Sequence, residues 1–153
     1  MDLILWRHAE AVESAAGEPD IDRALTSKGE RQAQRMAAWL NQQLPAGAKL
    51  LVSPARRAQQ TAAALDRKTR TVAELAPEGT VEALLHAVRW PEAREPVVVV
   101  GHQPTLGLAA GYLMTGQALP WSVRKGAAWW LRGRVRDGQL QVVLHALVSP
   151  ELV

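Results

Sequence analysis

The chain has 153 residues with 48% hydrophobic and 22% charged side chains, the balance of one ordinary globular domain spanning residues 1–153. It has no cysteine, which excludes disulfides, thiolate catalysis and Cys-based metal sites and fits a reducing compartment. Net charge is +3 with a pI near 9.8, yet the basic residues are interleaved with apolar and acidic ones rather than gathered in a run. A nucleic-acid partner is therefore not expected. No apolar window is long enough to span a membrane and no signal peptide is visible, so the expected location is cytoplasmic.

Leu3-Ile-Leu-Trp6 is a short apolar run bounded by charge, and it predicts a strand buried on both faces. Arg7 and His8 leave the core at its carboxyl end, the edge at which open α/β sheets bind ligands. Ala11 to Leu25 reads as a polar loop. Ser27-Lys-Gly-Glu30 fits a capping box, and Ala33, Met36, Ala37, Leu40 and Leu44 follow at helical spacing. Lys49 to Ser53 gives a second apolar strand. Ser53-Pro54 then reads as an N-cap and first helical residue, opening a helix to Leu65. Arg56 and Arg57 fall in its first turn, and successive residues on a helix point about 100° apart, so only one of them can face a cleft.

Thr69 to Glu74 predicts a third strand, Leu75 to Gly79 a loop, and Thr80 to Val88 a helix. After a linker over Pro91 to Pro96, Val97-Val-Val-Val100 is the clearest central strand. It ends at Gly101-His102, with Pro104 opening another helix. Ala127 to Val135 and Leu140 to Val148 read as strands joined by the hairpin signature Asp137-Gly138. Trp39, Trp90, Trp129 and Trp130 read as core or sheet-face residues. Strands alternating with helices, then a hairpin, predict a three-layer α/β/α sandwich: a mostly parallel central sheet with a C-terminal antiparallel hairpin.

One sheet edge therefore receives Arg7, His8, an arginine of the Ser53-Pro54 helix and His102. An imidazole free to attack, a second imidazole and two guanidiniums suit phosphoryl transfer. No phosphate-binding glycine loop and no carboxylate cluster accompany them, so transfer through a phosphohistidine fits better than a metal mechanism. A two-histidine metal site is the rival, without an acidic ligand placed beside it.

Four segments, Arg7-His8-Ala9-Glu10, Leu25-Thr-Ser-Lys-Gly29, Ser53-Pro-Ala-Arg-Arg-Ala-Gln-Gln-Thr61 and Gly101-His102, together resemble the signatures of the histidine phosphatase superfamily. The short length and the Ala-Glu-Ala after His8 are most similar to its SixA-type phosphohistidine phosphatases. The resemblance implies His8 as nucleophile, Arg7 and Arg57 as phosphate ligands, His102 completing the pocket, no cofactor and no metal. Ala9 departs from the glycine more usual after the nucleophile. Many members supply a general acid from mid-chain; Glu74 is the nearest candidate by position, with Glu10 and Glu82 behind it. The two candidate covers, Ala11 to Leu25 and Leu75 to Gly79, are short. That points to a phosphohistidine displayed on a partner protein, such as a phosphotransfer domain. The alternatives are small phosphate esters or nucleotides as substrates, or an inactive phosphate-binding module.

Overall fold

The computed structural model describes all residues, Met1–Val153, and builds one six-stranded sheet in the order β3-β2-β4-β1-β5-β6. The strands are β1 (Asp2–Arg7), β2 (Lys49–Val52), β3 (Arg70–Thr71), β4 (Val97–Gly101), β5 (Ala128–Arg136) and β6 (Gln139–Val148). The first four run parallel where they pair; β5 lies antiparallel to β1 and to β6. Helices α1 (Ser27–Gln43) and α2 (Arg56–Ala63) cover one face, α3 (Val81–Ala87) and α4 (Thr105–Thr115) the other.

The strand reading of Leu3–Trp6 and Val97–Val100 holds because both faces are covered. Leu3, Leu5, Val97 and Val99 pack toward α3 and α4, while Ile4, Trp6, Val98 and Val100 pack toward α1 and α2. Each such side chain buried is worth roughly 2 kcal/mol. Trp130 is buried in the α1/α2 layer with Trp39 edge-on at 6.4 Å, and Trp90 and Trp129 pack against the opposite core. At the hairpin, Asp137 and Gly138 both take left-handed backbone (φ 50° and 75°), the requirement of a two-residue turn between twisted strands.

Three local expectations change. Helix α1 is capped by Thr26, whose hydroxyl accepts the Gly29 N–H at 2.9 Å, so Ser27 is the first helical residue instead of the cap. Ser53-Pro54 does not open α2, which begins at Arg56 with Ala55 at the N-cap position and no side-chain cap. The Ser53 hydroxyl is engaged elsewhere. The third strand contracts to Arg70–Thr71, and Ala73–Leu75 turns into a 3₁₀ turn, because pairing with β2 extends only over Leu51 and Val52.

Register then decides what emerges at the carboxyl edge. Arg7 lies opposite Gly101 on β4, so the next residues, His8 and His102, leave adjacent strands at the same level. The His8 N–H donates to Gly101 O at 3.1 Å, and the Ser53 N–H donates to Val100 O at 3.0 Å. Three consecutive strands of the sheet thus deliver Ser53, His102 and His8 side by side.

Candidate active site

The His8 and His102 rings stand 5.1 Å apart, centroid to centroid, inclined at 53°. His8 is 6% exposed and His102 3%. His8 Nδ1 lies 2.7 Å from the Ala9 carbonyl oxygen, which can only accept, so Nδ1 carries the proton. That leaves the Nε2 lone pair free. Burial pushes the His8 imidazole down to about 4, and the guanidiniums of Arg57 and Arg7 add to this against the opposing bond to Ala9. The ring is neutral at physiological pH, as a nitrogen nucleophile must be.

His102 Nε2 is 2.7 Å from the Ser53 hydroxyl, which also accepts the Ala55 N–H at 3.1 Å. Ser53 is fully buried, so its hydroxyl hydrogen needs an acceptor. Donation to His102 Nε2 supplies one and places the imidazole proton on Nδ1. Burial, then His8 and Arg57, lower the His102 pKa to about 3.

Arg57 is 3% exposed and Arg56 lies on the surface, which settles the helix pair. Arg57 donates to the Asp20 carbonyl at 2.9 Å and to its carboxylate at 3.0 Å. Burial works against the charge of Asp20, but the bonds and charges of Arg57 and Arg23 hold its carboxyl below the ordinary range. Arg7 donates to Val123 O at 3.0 Å; burial and the nearby Arg57 lower its pKa, though a guanidinium stays charged.

Thr61 ties the two halves of the site together. It accepts the Ala9 N–H at 3.0 Å and donates to Arg57 O at 2.7 Å. Gly29 lets α1 close in on the same loop, since a Cβ there would overlap the Glu10 carbonyl oxygen. The methyl of Ala9 is fully buried against Leu25 and Ala33, so the glycine-to-alanine departure is absorbed by packing.

Glu74 lies at the same sheet edge, in the 3₁₀ turn after β3, but its side chain is exposed and no hydrogen bond or ion pair joins it to the histidines. Glu10 accepts the Thr26 hydroxyl at 2.7 Å, and Glu82 lies exposed in the first turn of α3. Sequence reasoning passed over Asp20, the Ser53 hydroxyl and Thr61. Asp20 is one polar residue among many in its loop, and Ser53 carried a stronger local signal as a helix cap.

Three buried side-chain nitrogens in the whole chain lack a hydrogen-bond partner: Arg7 Nε, Arg57 Nε and His102 Nδ1. Buried donors are ordinarily satisfied, and all three exceptions belong to residues that neighbour His8.

Residues 3–79 match the family model of the histidine phosphatase superfamily (branch 1). The chain belongs to this superfamily. It is 33% identical over 129 residues to the phosphohistidine phosphatase SixA of Escherichia coli, covering 78% of each protein. An uncharacterized protein of Picosynechococcus is 38% identical over 124 residues, covering 76% of this chain and 75% of that one. Among solved structures, the protein histidine phosphatase SixA complexed with tungstate superposes with a TM-score of 0.81 at 26% identity, over 99% of both chains. The three-layer fold and phosphatase membership follow from these likenesses together with the sheet described above. No helix is long and apolar enough to cross a membrane.

Proposed function

We propose that this member of the histidine phosphatase superfamily hydrolyses phosphohistidine on a partner protein, such as a phosphotransfer domain, through a covalent phosphohistidine at His8 and without a metal ion. The observation that supports it most is the neutral His8, its Nε2 lone pair free, 5.1 Å from the His102 ring and close enough to Arg7 and Arg57 to feel their charge, with an unpartnered buried nitrogen on each of these three neighbours.

Arg7 and Arg57 bind the phosphoryl oxygens, and His102 Nδ1–H donates to one of them as charge shifts. His8 Nε2 forms a bond to phosphorus while the bond from phosphorus to the substrate nitrogen breaks. That nitrogen keeps the electron pair, and the imidazole leaves neutral when its other nitrogen already carries a proton. Water then attacks phosphorus, the bond to His8 breaks, and inorganic phosphate is released with His8 neutral again. A P–N bond is weak, so the leaving imidazole needs less help from an acid than an alkoxide would. Glu74 is the candidate proton donor where such help is needed.

The partner reading rests on access and on the name of the E. coli relative. The rim is bordered by the Ala11–Leu25 segment, pinned by its Ala11–Leu25 bridge, by the turn ending at Gly79, and by the Val123–Gly126 stretch, whose Val123 O accepts from Arg7 and whose Gly126 N–H donates to His8 O. All three are short enough to leave room for an imidazole presented from another surface. Comparing kcat/KM on a phosphohistidine-bearing phosphotransfer domain with that on common phosphomonoesters tests it. Preference for the phosphoprotein is expected; equal or better turnover of small esters would defeat the substrate assignment.

A further inference from the structure

A hollow of about 920 Å³ lies at the opposite end of the sheet from the histidines. It opens where β3 stops: Leu51 and Val52 are paired with β3, whereas Lys49 and Leu50 at the start of β2 are not. The hollow lies four residues back along β2 from Ser53 and along β4 from Gly101, about 13 Å from the catalytic edge at strand spacing. Its floor is aliphatic, with Leu50, Leu51, Val88 and Val97 all buried. Its wall carries Lys49, Arg67, Lys68, Arg70, Arg89 and Arg94 against only Glu92 and Glu95.

That is six of the eighteen Lys and Arg and two of the fifteen Asp and Glu. The rest of the chain, active site included, has twelve cations against thirteen carboxylates. The positive charge of this protein is therefore concentrated at this hollow, away from the phosphoryl-transfer edge. The chain's four ion pairs all lie elsewhere, so these cations are not neutralised by neighbours. Arg67 is spent on the structure, bonding Asn41 in the last turn of α1 and the Leu44 and Pro45 carbonyls just beyond it. The other five make no side-chain bond. Arg89 holds a left-handed backbone (φ 59°), where glycine would cost nothing and an arginine is strained.

We propose that this hollow is a second ligand site, for an organic polyanion of the nucleoside polyphosphate class. The cations come from three separate segments around one concavity instead of forming a strip, which fits a compact ligand better than a nucleic-acid strand. Four of the six are arginines, whose planar forks match phosphate oxygens. The aliphatic floor takes the uncharged part of the ligand, and the size is that of a small-molecule site.

Calorimetric titration with a non-hydrolysable ATP analogue, paired with amide chemical-shift mapping, tests the assignment. Saturable binding is expected in the wild type and in Arg57→Ala, with shifts at Lys49, Leu50 and Arg94 and none at His8. Affinity falls by about tenfold or more in Arg70→Glu/Arg94→Glu and less in the milder Arg70→Gln/Arg94→Gln, and it weakens as salt rises. Phosphatase activity of both pairs without ligand stays at the wild-type level. Absence of saturable binding, binding that ignores the Arg70 and Arg94 changes, or binding abolished by Arg57→Ala would overturn the proposal. So would an acidic peptide that binds through Arg70 and Arg94 while the nucleotide does not.

Discussion

Arg57 is held twice by Asp20, through the carbonyl oxygen at 2.9 Å and the carboxylate at 3.0 Å, so a loop thirty-seven residues upstream aims the buried guanidinium. Asp20 itself is more than half exposed, so its role is positional and not that of a core residue. Asp20→Ala is expected to lower kcat/KM by about tenfold, about 1.4 kcal/mol, mostly through KM. The melting temperature should hardly move. Asp20→Asn, which keeps an acceptor, should recover part of the loss. An unchanged KM in both variants would show that Arg57 is aimed by its own helix alone.

Ser53 fixes which nitrogen of His102 carries the proton. Ser53→Ala removes that partner and frees Nε2 to hold the proton instead. The expected result is a fall of about tenfold in kcat, with a changed His102 ring-nitrogen spectrum by NMR. Ser53→Thr should restore the spectrum if its extra methyl is accommodated. A His102 tautomer indifferent to Ser53→Ala would contradict the assignment.

Acid should unfold this protein through the same two imidazoles. An unfolded histidine takes its proton near 6.5, whereas folded His8 takes one only near 4 and His102 near 3. Between those values the unfolded chain binds more protons, so stability is fully present above pH 6.5 and is lost as pH falls. For His8 alone the loss by pH 4 is on the order of 3 kcal/mol. Melting temperature followed from pH 8 to pH 4 should fall in the wild type and fall less steeply in His8→Ala/His102→Ala. Parallel curves for the two proteins would mean that other groups govern acid unfolding.

Glu74 offers a way to separate leaving groups. Because it is exposed and unattached to the histidines, Glu74→Gln is expected to leave phosphohistidine turnover within about twofold. Hydrolysis of an alkyl phosphate ester, whose alkoxide needs a proton, should fall further. If neither substrate responds, Glu74 is the acid for neither; an equal large fall in both would contradict the separation of leaving groups.

The buried parts of this fold are legible in the residues because burial leaves a continuous apolar signal. Leu3–Trp6 and Val97–Val100 announce the central strands, and the histidines follow directly from where those runs end. The two departures that matter arise from contacts no local pattern encodes. Ser53 looks like a helix cap by its neighbours, yet β2 delivers it to His102, forty-nine residues away in sequence. Asp20 has no signal of its own because its importance comes from Arg57, which only the folded loop brings within reach. The basic hollow is likewise invisible along the chain: its cations are scattered over Lys49 to Arg94 and become a cluster only when β3 stops short.

The central claim is that His8 Nε2 takes the phosphoryl group. Incubating the protein with a phosphorus-labelled phosphohistidine donor, quenching rapidly and mapping the label by mass spectrometry and phosphorus NMR tests it most directly. Acid-labile, base-stable phosphate on His8, absent from His8→Ala and slow to form in Arg57→Ala, is the predicted result. Turnover by His8→Ala at the wild-type rate, or label on any other residue, would contradict it.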